Sequence, residues 1–134
     1  MLRELTVEAK RENTGRVIDF VSEDFEKLGV PDSVVVILVT AVEEIYLNIA
    51  GYAYEDGCGD ATIRVETVGN SITLTFIDSG IAFDPLKKED PDLSLPIEER
   101  PIGGLGVLLV KKTMDEVDYQ RKDEKNILTL KKSW

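Results

Sequence analysis

Hydrophobic residues recur along this chain with two different spacings, which separate predicted strands from predicted helices. Leu2 to Val7 alternates imperfectly and predicts a short edge strand. From about Glu12 to Leu28, apolar residues lie three or four positions apart, which predicts an amphipathic helix that ends at Gly29. A second helix is predicted from Pro31 to Tyr54. Because this helix is apolar on nearly every side, we expect it to be buried in the centre of the domain.

The second half of the chain predicts two hairpins separated by a loop and a helix. Apolar residues alternate from Ile63 to Phe76 around a turn at Gly69-Asn70, which is typical of a β-hairpin. Proline and charge dominate residues 85–101, so we expect a mobile loop there, followed by a helix from Val107 to Met114. The final hairpin is predicted from two strands and the turn between them: Val117–Arg121, Ile127–Leu130 and Lys122–Asn126.

Charge and composition exclude several classes of function. Asp and Glu number 26 against 16 Lys and Arg, a formal charge of −10 that argues against binding the nucleic-acid backbone. The absence of histidine excludes His-ligated zinc and histidine acid–base catalysis, and a single cysteine, Cys58, excludes an intramolecular disulfide. With neither a signal peptide nor a membrane span expected, the chain is predicted to be one cytoplasmic domain, residues 1–134.

Two polar residues interrupt the buried helix and form the first candidate site. Glu44 lies one turn before Asn48, so the two side chains share a face, while Glu43 precedes them. Burying a carboxylate is costly unless it has a partner, and an asparagine oxygen suits a hard cation such as Mg²⁺. The alternative is that Glu44 lies at the helix margin and caps a neighbouring loop.

Two further segments contain residues suited to ligand binding. Asp78 begins the run Asp78-Ser-Gly-Ile-Ala-Phe-Asp84 where a strand ends; its carboxylate is able to accept from an exocyclic amine, and Gly80 permits close approach of a flat ligand. A plain strand-exit turn is the alternative. Gly103-Gly-Leu-Gly106 opens a helix and offers unobstructed amides to an anion such as phosphate. A flexible hinge is the alternative there.

Taken together and in this order, the three segments resemble the motifs of the GHKL ATPase superfamily. They are Glu44-Ile-Tyr-Leu-Asn48, Asp78-Ser-Gly-Ile-Ala-Phe-Asp-Pro85 and Gly103-Gly-Leu-Gly106. The small size and the sequence around the last segment look most like the anti-sigma-factor serine kinases. The resemblance covers nearly the whole chain and implies an α+β fold of the Bergerat type: a two-layer sandwich with helices on one face of a mixed, mostly antiparallel sheet.

The resemblance also implies a role for each candidate residue. Asn48 would hold the Mg²⁺ that bridges the ATP phosphates, and Glu44 would orient or deprotonate the attacking hydroxyl. Asp78 would accept from the adenine amino group, which Gly80 allows to approach. The remaining nucleotide contacts are implied for Phe83, Asp84, Gly103, Gly104, Leu105 and Gly106.

Other features of the chain are interpreted through the same resemblance. Arg16 falls where these kinases tend to carry an arginine that reaches the terminal phosphate; a solvated helix charge is the alternative. The loop at 85–102 would be a lid that orders over nucleotide. The chain departs from the family pattern at Tyr52, at Ala82 and at Asn126-Ile127, where a histidine, a glycine and a Gly-Thr pair are common.

The resemblance implies an ATP-dependent serine/threonine kinase. It would phosphorylate an anti-anti-sigma protein of the STAS type and sequester a partner such as a sigma factor, with no direct nucleic-acid or membrane contact. Homodimerisation is common among the similar kinases. The alternatives are a non-catalytic partner-switching module, in which ATP is structural or absent, and a kinase that acts on a partner's histidine.

Overall fold

The computed structural model describes residues 1–87, Ser94 and residues 105–134, and its centre is one antiparallel sheet. The sheet has five strands in the spatial order β1-β2-β3-β5-β4. Their bounds are Leu2–Glu8 (β1), Asp60–Val68 (β2), Ser71–Asp78 (β3), Glu116–Lys122 (β4) and Lys125–Ser133 (β5). Every strand pair in the described part of the chain is antiparallel, so the sheet is not mixed, and β1 lies at an edge as predicted.

One face of the sheet carries the hydrophobic core. Alternate residues of the three central strands are buried on this face, as period-two patterning requires: Ala61, Ile63, Val65, Ile72, Leu74, Phe76, Leu128 and Leu130. The opposite face is rich in threonine and charge, for example at Thr75 and its neighbour Arg64. The helices are therefore stabilised by burial on one face, which confirms the predicted α+β two-layer fold.

Within the described residues, four α-helices accompany the sheet: Thr14–Ser22 (α1), Phe25–Leu28 (α2), Asp32–Asn48 (α3) and Leu105–Thr113 (α4). The central helix is α3, which contacts both α1 and α4. Its residues Leu38, Val42 and Tyr46 are fully buried, as the apolar pattern predicted. The helix continues as a π-helical turn, Ile49–Ala53, a local widening that often marks functional sites.

The prediction of one continuous helix from Glu12 to Leu28 is wrong. The segment divides into a 3₁₀ turn at Arg11–Asn13, α1 and α2. Arg3 of β1 explains the break after α1: its guanidinium donates to the Phe20 carbonyl oxygen at 2.8 Å and pairs with the carboxylates of Glu23 and Asp24 at 3.1 and 3.2 Å. This long-range contact satisfies a carbonyl at the helix end, so the helix need not continue. Gly29 ends α2 in the left-handed conformation, as predicted.

The last predicted turn is also too long. Lys122 to Asn126 was predicted as the turn, but β4 and β5 are joined by two residues, Asp123 and Glu124, both with positive φ. That conformation is typical of a tight hairpin turn, although neither residue is glycine. Asn126 is therefore a strand residue paired with Asp78 of β3. The predicted lid at 85–102 lies outside the described residues, except for the 3₁₀ turn Pro85–Lys87 and Ser94.

One helical segment within the described ranges, Asp32–Ala53, is long and apolar enough to cross a membrane by length and composition. The central helix of a globular domain has the same properties. Here the segment supplies core residues from Leu38 to Ala53 against the sheet. That packing accounts for the buried part of the segment, whereas Val36 in its first half is 64% exposed.

The hydroxyl of Tyr46 fastens this helix to the segment that follows β1. Its single hydrogen is shared between the carbonyl oxygens of Lys10 and Glu8, which lie 2.7 and 3.1 Å from the hydroxyl oxygen, and that oxygen accepts from the Lys10 amide at 3.2 Å. Burial is the main reason that the pKa of this phenol is raised, so it stays protonated at neutral pH.

We expect Tyr46→Phe to lower the free energy of unfolding by about 1–2 kcal/mol, because three backbone contacts lose their partner. The matched control is Tyr52→Phe, since Tyr52 is 73% exposed and has no hydrogen bond within the described residues. That change should stay within about 0.5 kcal/mol. Urea unfolding followed by circular dichroism measures both, and equal stability of the two variants would contradict this role for Tyr46.

Candidate functional site

A pocket lies between the C-terminal end of α3 and the ends of strands β3 and β5. Its floor is apolar and comes from Ile45, Ile49, Ala53, Phe76 and Leu128. Three polar residues, Asn48, Asp78 and Asn126, face this floor. The remaining lining residues are Tyr52, Ile81, Phe83, Pro85 and Tyr119. An apolar pocket with a few convergent polar groups is the usual form of a small-molecule site, and flat aromatic ligands suit it.

The Asp78 carboxylate is the main polar group in the pocket. It is only 6% exposed, and its Oδ1 atom accepts from the Gly80 amide and from Asn126 Nδ2, each at 2.9 Å. Its Oδ2 atom has no hydrogen-bond partner among the described residues. Because no fully buried polar side-chain atom there lacks a partner, Oδ2 must be accessible. Asp78 thus presents one free acceptor to a ligand.

Asn126 is a buried polar residue that joins four groups around this carboxylate. Its Nδ2 donates to Asp78 Oδ1 and, at 2.8 Å, to the Ile81 carbonyl oxygen. Its Oδ1 accepts from the Phe83 amide at 3.3 Å and from the Tyr119 hydroxyl. Three of the four contacts require this orientation of the amide, because a flipped Asn126 would place its oxygen against Asp78 Oδ1 and the Ile81 carbonyl oxygen, and its NH₂ group against the Phe83 amide.

The segment after Asp78 rests directly on the π-helical turn. The Ile81 amide donates to the Ala53 carbonyl oxygen at 2.8 Å. A Cβ atom at Gly80 would collide with the Ala53 backbone, so glycine is required for the Gly80 segment to pack this closely on the π-helical turn. The Tyr54 hydroxyl accepts from the Ser79 amide at 2.9 Å and donates to the Asp60 carbonyl oxygen at 2.6 Å. Burial chiefly raises the pKa of Tyr54, which keeps this donor protonated.

Glu44 and Asn48 lie one turn apart near the pocket, as their spacing predicted. Both are half-buried, and neither has a hydrogen bond or ion pair within the part of the chain described. Glu44 therefore does not cap a loop there. Gly106, near the start of α4, lies against Glu44 so closely that a Cβ atom on it would overlap the carboxylate. The third motif thus meets the first in space.

The other predicted site residues occupy different positions. Phe83 lines the mouth of the pocket and is 48% exposed. Asp84 accepts from the Leu86 amide at 2.9 Å and so shapes the turn at Pro85–Lys87. Arg16 is exposed on α1 and is not part of the pocket lining. Gly103 and Gly104 lie outside the described residues, and Leu105 begins α4.

The predicted site omits three lining residues that have hydrogen-bonding side chains, Tyr52, Tyr119 and Asn126. The sequence presents Tyr52 and Asn126 as departures from the family pattern, with Asn126 also in a predicted turn, and it presents Tyr119 simply as a strand residue. Helical spacing signals the first, because Ile45, Asn48 and Tyr52 lie three or four positions apart on one helix face. No local pattern signals the other two, since their roles depend on the pairing of β5 with β3 and β4.

The residues around Asn48 fit a magnesium ion that is held largely by phosphate. The described residues contain no group of three or more acidic or cysteine side chains able to hold a metal by themselves. Mg²⁺ commonly takes one or two protein oxygens and completes its coordination with substrate phosphates and water. The unpartnered side chain of Asn48 suits that arrangement.

Comparisons with known proteins agree with this geometry. The model of the family described as "Histidine kinase-like ATPase domain" matches residues 7–132 of this chain. The serine-protein kinase RsbW of Bacillus thuringiensis (strain Al Hakam) is 30% identical over 95 residues, 68% of this chain. RsbW of Bacillus cereus (strain ATCC 10987) is 28% identical over the same length. The match spans 59% of the length of each of these relatives.

A solved structure shows the same fold. It contains the RsbU and RsbW domains of Rv1364c from Mycobacterium tuberculosis and aligns with a TM-score of 0.67 at 17% identity. The alignment covers 99% of this chain and 32% of that one. The resemblance to the GHKL superfamily and its anti-sigma kinases is thereby confirmed. This chain belongs to the histidine kinase-like ATPase domain family.

Proposed function

We propose that this protein is an ATP-binding, anti-sigma-factor-like kinase that acts in the cytoplasm. It transfers the terminal phosphate of ATP to a serine or threonine of a STAS-type anti-anti-sigma protein and sequesters a partner such as a sigma factor. Two findings support the proposal: the family of the chain and the serine-protein kinases among its relatives.

The observation that carries the proposal is the free Oδ2 atom of Asp78 at an apolar pocket. A carboxylate oxygen is an acceptor without a donor, so it complements an exocyclic amine. The apolar lining of the pocket, which includes Ile49 and Phe76, complements the faces of a purine ring. Adenine presents both features, and its amino group is therefore assigned to Asp78.

The phosphates are assigned to the region near Asn48 and α4. Asn48 would hold Mg²⁺ through its side-chain oxygen, and backbone amides at Gly103, Gly104 and Gly106 would bind phosphate oxygens. Bound Mg²⁺ supplies charge neutralisation at the phosphates. We extend the same proposal to Arg16 as a second source of positive charge at the terminal phosphate.

Glu44 is proposed as the residue that orients and deprotonates the attacking hydroxyl. Its carboxylate is half-buried and has no competing partner within the described residues, so it is available to accept a proton. Asp78 lines the pocket and Glu44 does not, so purine binding and chemistry are assigned to different carboxylates. A variant of each should therefore fail in a different way.

Asp78→Asn should weaken binding of Mg-ATP about tenfold or more, measured by isothermal calorimetry. The two donors on Oδ1 would fix the new amide with its oxygen toward Gly80 and Asn126, so its NH₂ group would face the adenine amine. Asp118→Asn on the exposed side of β4 is the matched control and should bind as the wild type does. Unchanged binding by Asp78→Asn would overturn the adenine assignment.

Glu44→Gln should bind Mg-ATP normally but lower the rate of phosphate transfer about 100-fold or more. The measurement is transfer of labelled γ-phosphate to a STAS-type protein from the same genome. Glu43→Gln, the exposed neighbour, is the control. Transfer that is undiminished in Glu44→Gln would contradict the catalytic role. ATP binding by the wild type without any transfer would favour the non-catalytic partner-switching module.

Gly106→Ala should lower the transfer rate on the order of 10- to 100-fold, because the new methyl group displaces the Glu44 carboxylate. Fold stability should change little, since the clash is with the far end of a flexible side chain. Gly15→Ala in α1 meets open space and serves as the control. The transfer assay above, combined with thermal melts, measures both effects; a fully active Gly106→Ala would show that Glu44 needs no fixed position.

A further inference from the structure

We propose that Asn126 makes the purine pocket selective for adenine over guanine by saturating one oxygen of the Asp78 carboxylate. The inference rests on the proposed function, because it takes Asp78 as the group that faces the purine. It adds a specificity-determining residue at a position where the sequence departs from the family pattern.

The two oxygens of Asp78 are not equivalent. A carboxylate oxygen accepts about two hydrogen bonds. Oδ1 already accepts two, from the Gly80 amide and from Asn126 Nδ2, each at 2.9 Å. Oδ2 accepts none from the described residues and is accessible. Only one oxygen of the carboxylate is therefore open to a ligand.

The neighbours of Asn126 fix it in the orientation that produces this difference. The Ile81 carbonyl oxygen takes the second hydrogen of Nδ2 at 2.8 Å, while the Phe83 amide and the Tyr119 hydroxyl both donate to Oδ1. The side chain is 7% exposed, so water does not compete freely for these contacts. Asn126 thus donates to Asp78 persistently rather than as one of several alternatives.

The two purines place different demands on a carboxylate. Adenine presents one exocyclic amine beside a ring acceptor, which a single open oxygen satisfies. Guanine presents an oxygen where adenine has the amine, and its two neighbouring donors, the N1–H and the 2-amino group, pair with both oxygens of a carboxylate. With Oδ1 saturated, Asp78 fits the first arrangement and cannot form the second.

Arg121 allows this effect to be separated from simple ordering of the loop. Its Nη1 atom donates to the Gly80 carbonyl oxygen at 2.8 Å, so it supports the same segment without touching Asp78. Arg121→Met should therefore weaken the binding of ATP, GTP and ITP to a similar extent. Of Arg121 and Asn126, only a substitution of Asn126 is expected to change the ratio between the affinities for the three nucleotides.

The wild-type chain provides the first test, because inosine triphosphate differs from GTP only by lacking the 2-amino group. Calorimetry with Mg-ATP, Mg-ITP and Mg-GTP should show ATP binding about tenfold or more tighter than the other two. GTP and ITP should agree within about threefold. GTP binding tenfold tighter than ITP would show a two-oxygen contact and would overturn the inference without any variant.

Asn126→Ala provides the second test, since it opens one position on Oδ1. The affinity for GTP should rise about tenfold relative to the affinity for ITP, and the preference for ATP over GTP should fall by the same factor. Ratios equal to those of the wild type would overturn the inference and leave the proposed function standing. A wild-type chain that binds none of the three nucleotides would instead contradict the proposed function itself.

Discussion

The packing of α3 onto the sheet is the constraint on which the rest of the structure depends. Leu38, Val42 and Tyr46 are fully buried against it, and about 25 cal/mol of stability accompanies each Å² of apolar surface removed from water. This packing positions the helix against the sheet. Its last turn and the π-helical continuation therefore lie beside the end of β3, which places Asn48 and Asp78 at one pocket. The candidate site is a consequence of core packing.

The polar groups of the site fall into two sets: some are fixed by hydrogen bonds, and others have no partner among the described residues. Asp78 Oδ1, Asn126 and the Gly80 segment are joined by hydrogen bonds that leave no freedom in their orientation. Asp78 Oδ2, Glu44 and Asn48 have no partners among the described residues. Preorganised groups with open acceptors favour binding, because little entropy is lost in ordering them when the ligand binds.

The sequence predicted what depends on local periodicity. The buried central helix, the β2–β3 hairpin and the spacing of Glu44 and Asn48 are all present as expected. The errors arise where distant residues decide. Arg3 binds the end of α1 from another element, and Asn126 gains its four partners only when β5 pairs with β3 and β4. Both contacts join residues that are distant in the sequence, so local hydrophobic periodicity does not predict them.

The most direct measurement of the central claim is an NMR titration of the uniformly labelled wild-type chain with Mg-ATP. The account predicts saturable shifts that are largest for the amides of Gly80 and Phe83, the side-chain amide of Asn126 and the end of α3 around Asn48. The exposed threonine-rich face of the sheet, for example Thr75, should be unaffected. An unchanged spectrum at millimolar Mg-ATP, or shifts confined to that face, would contradict it.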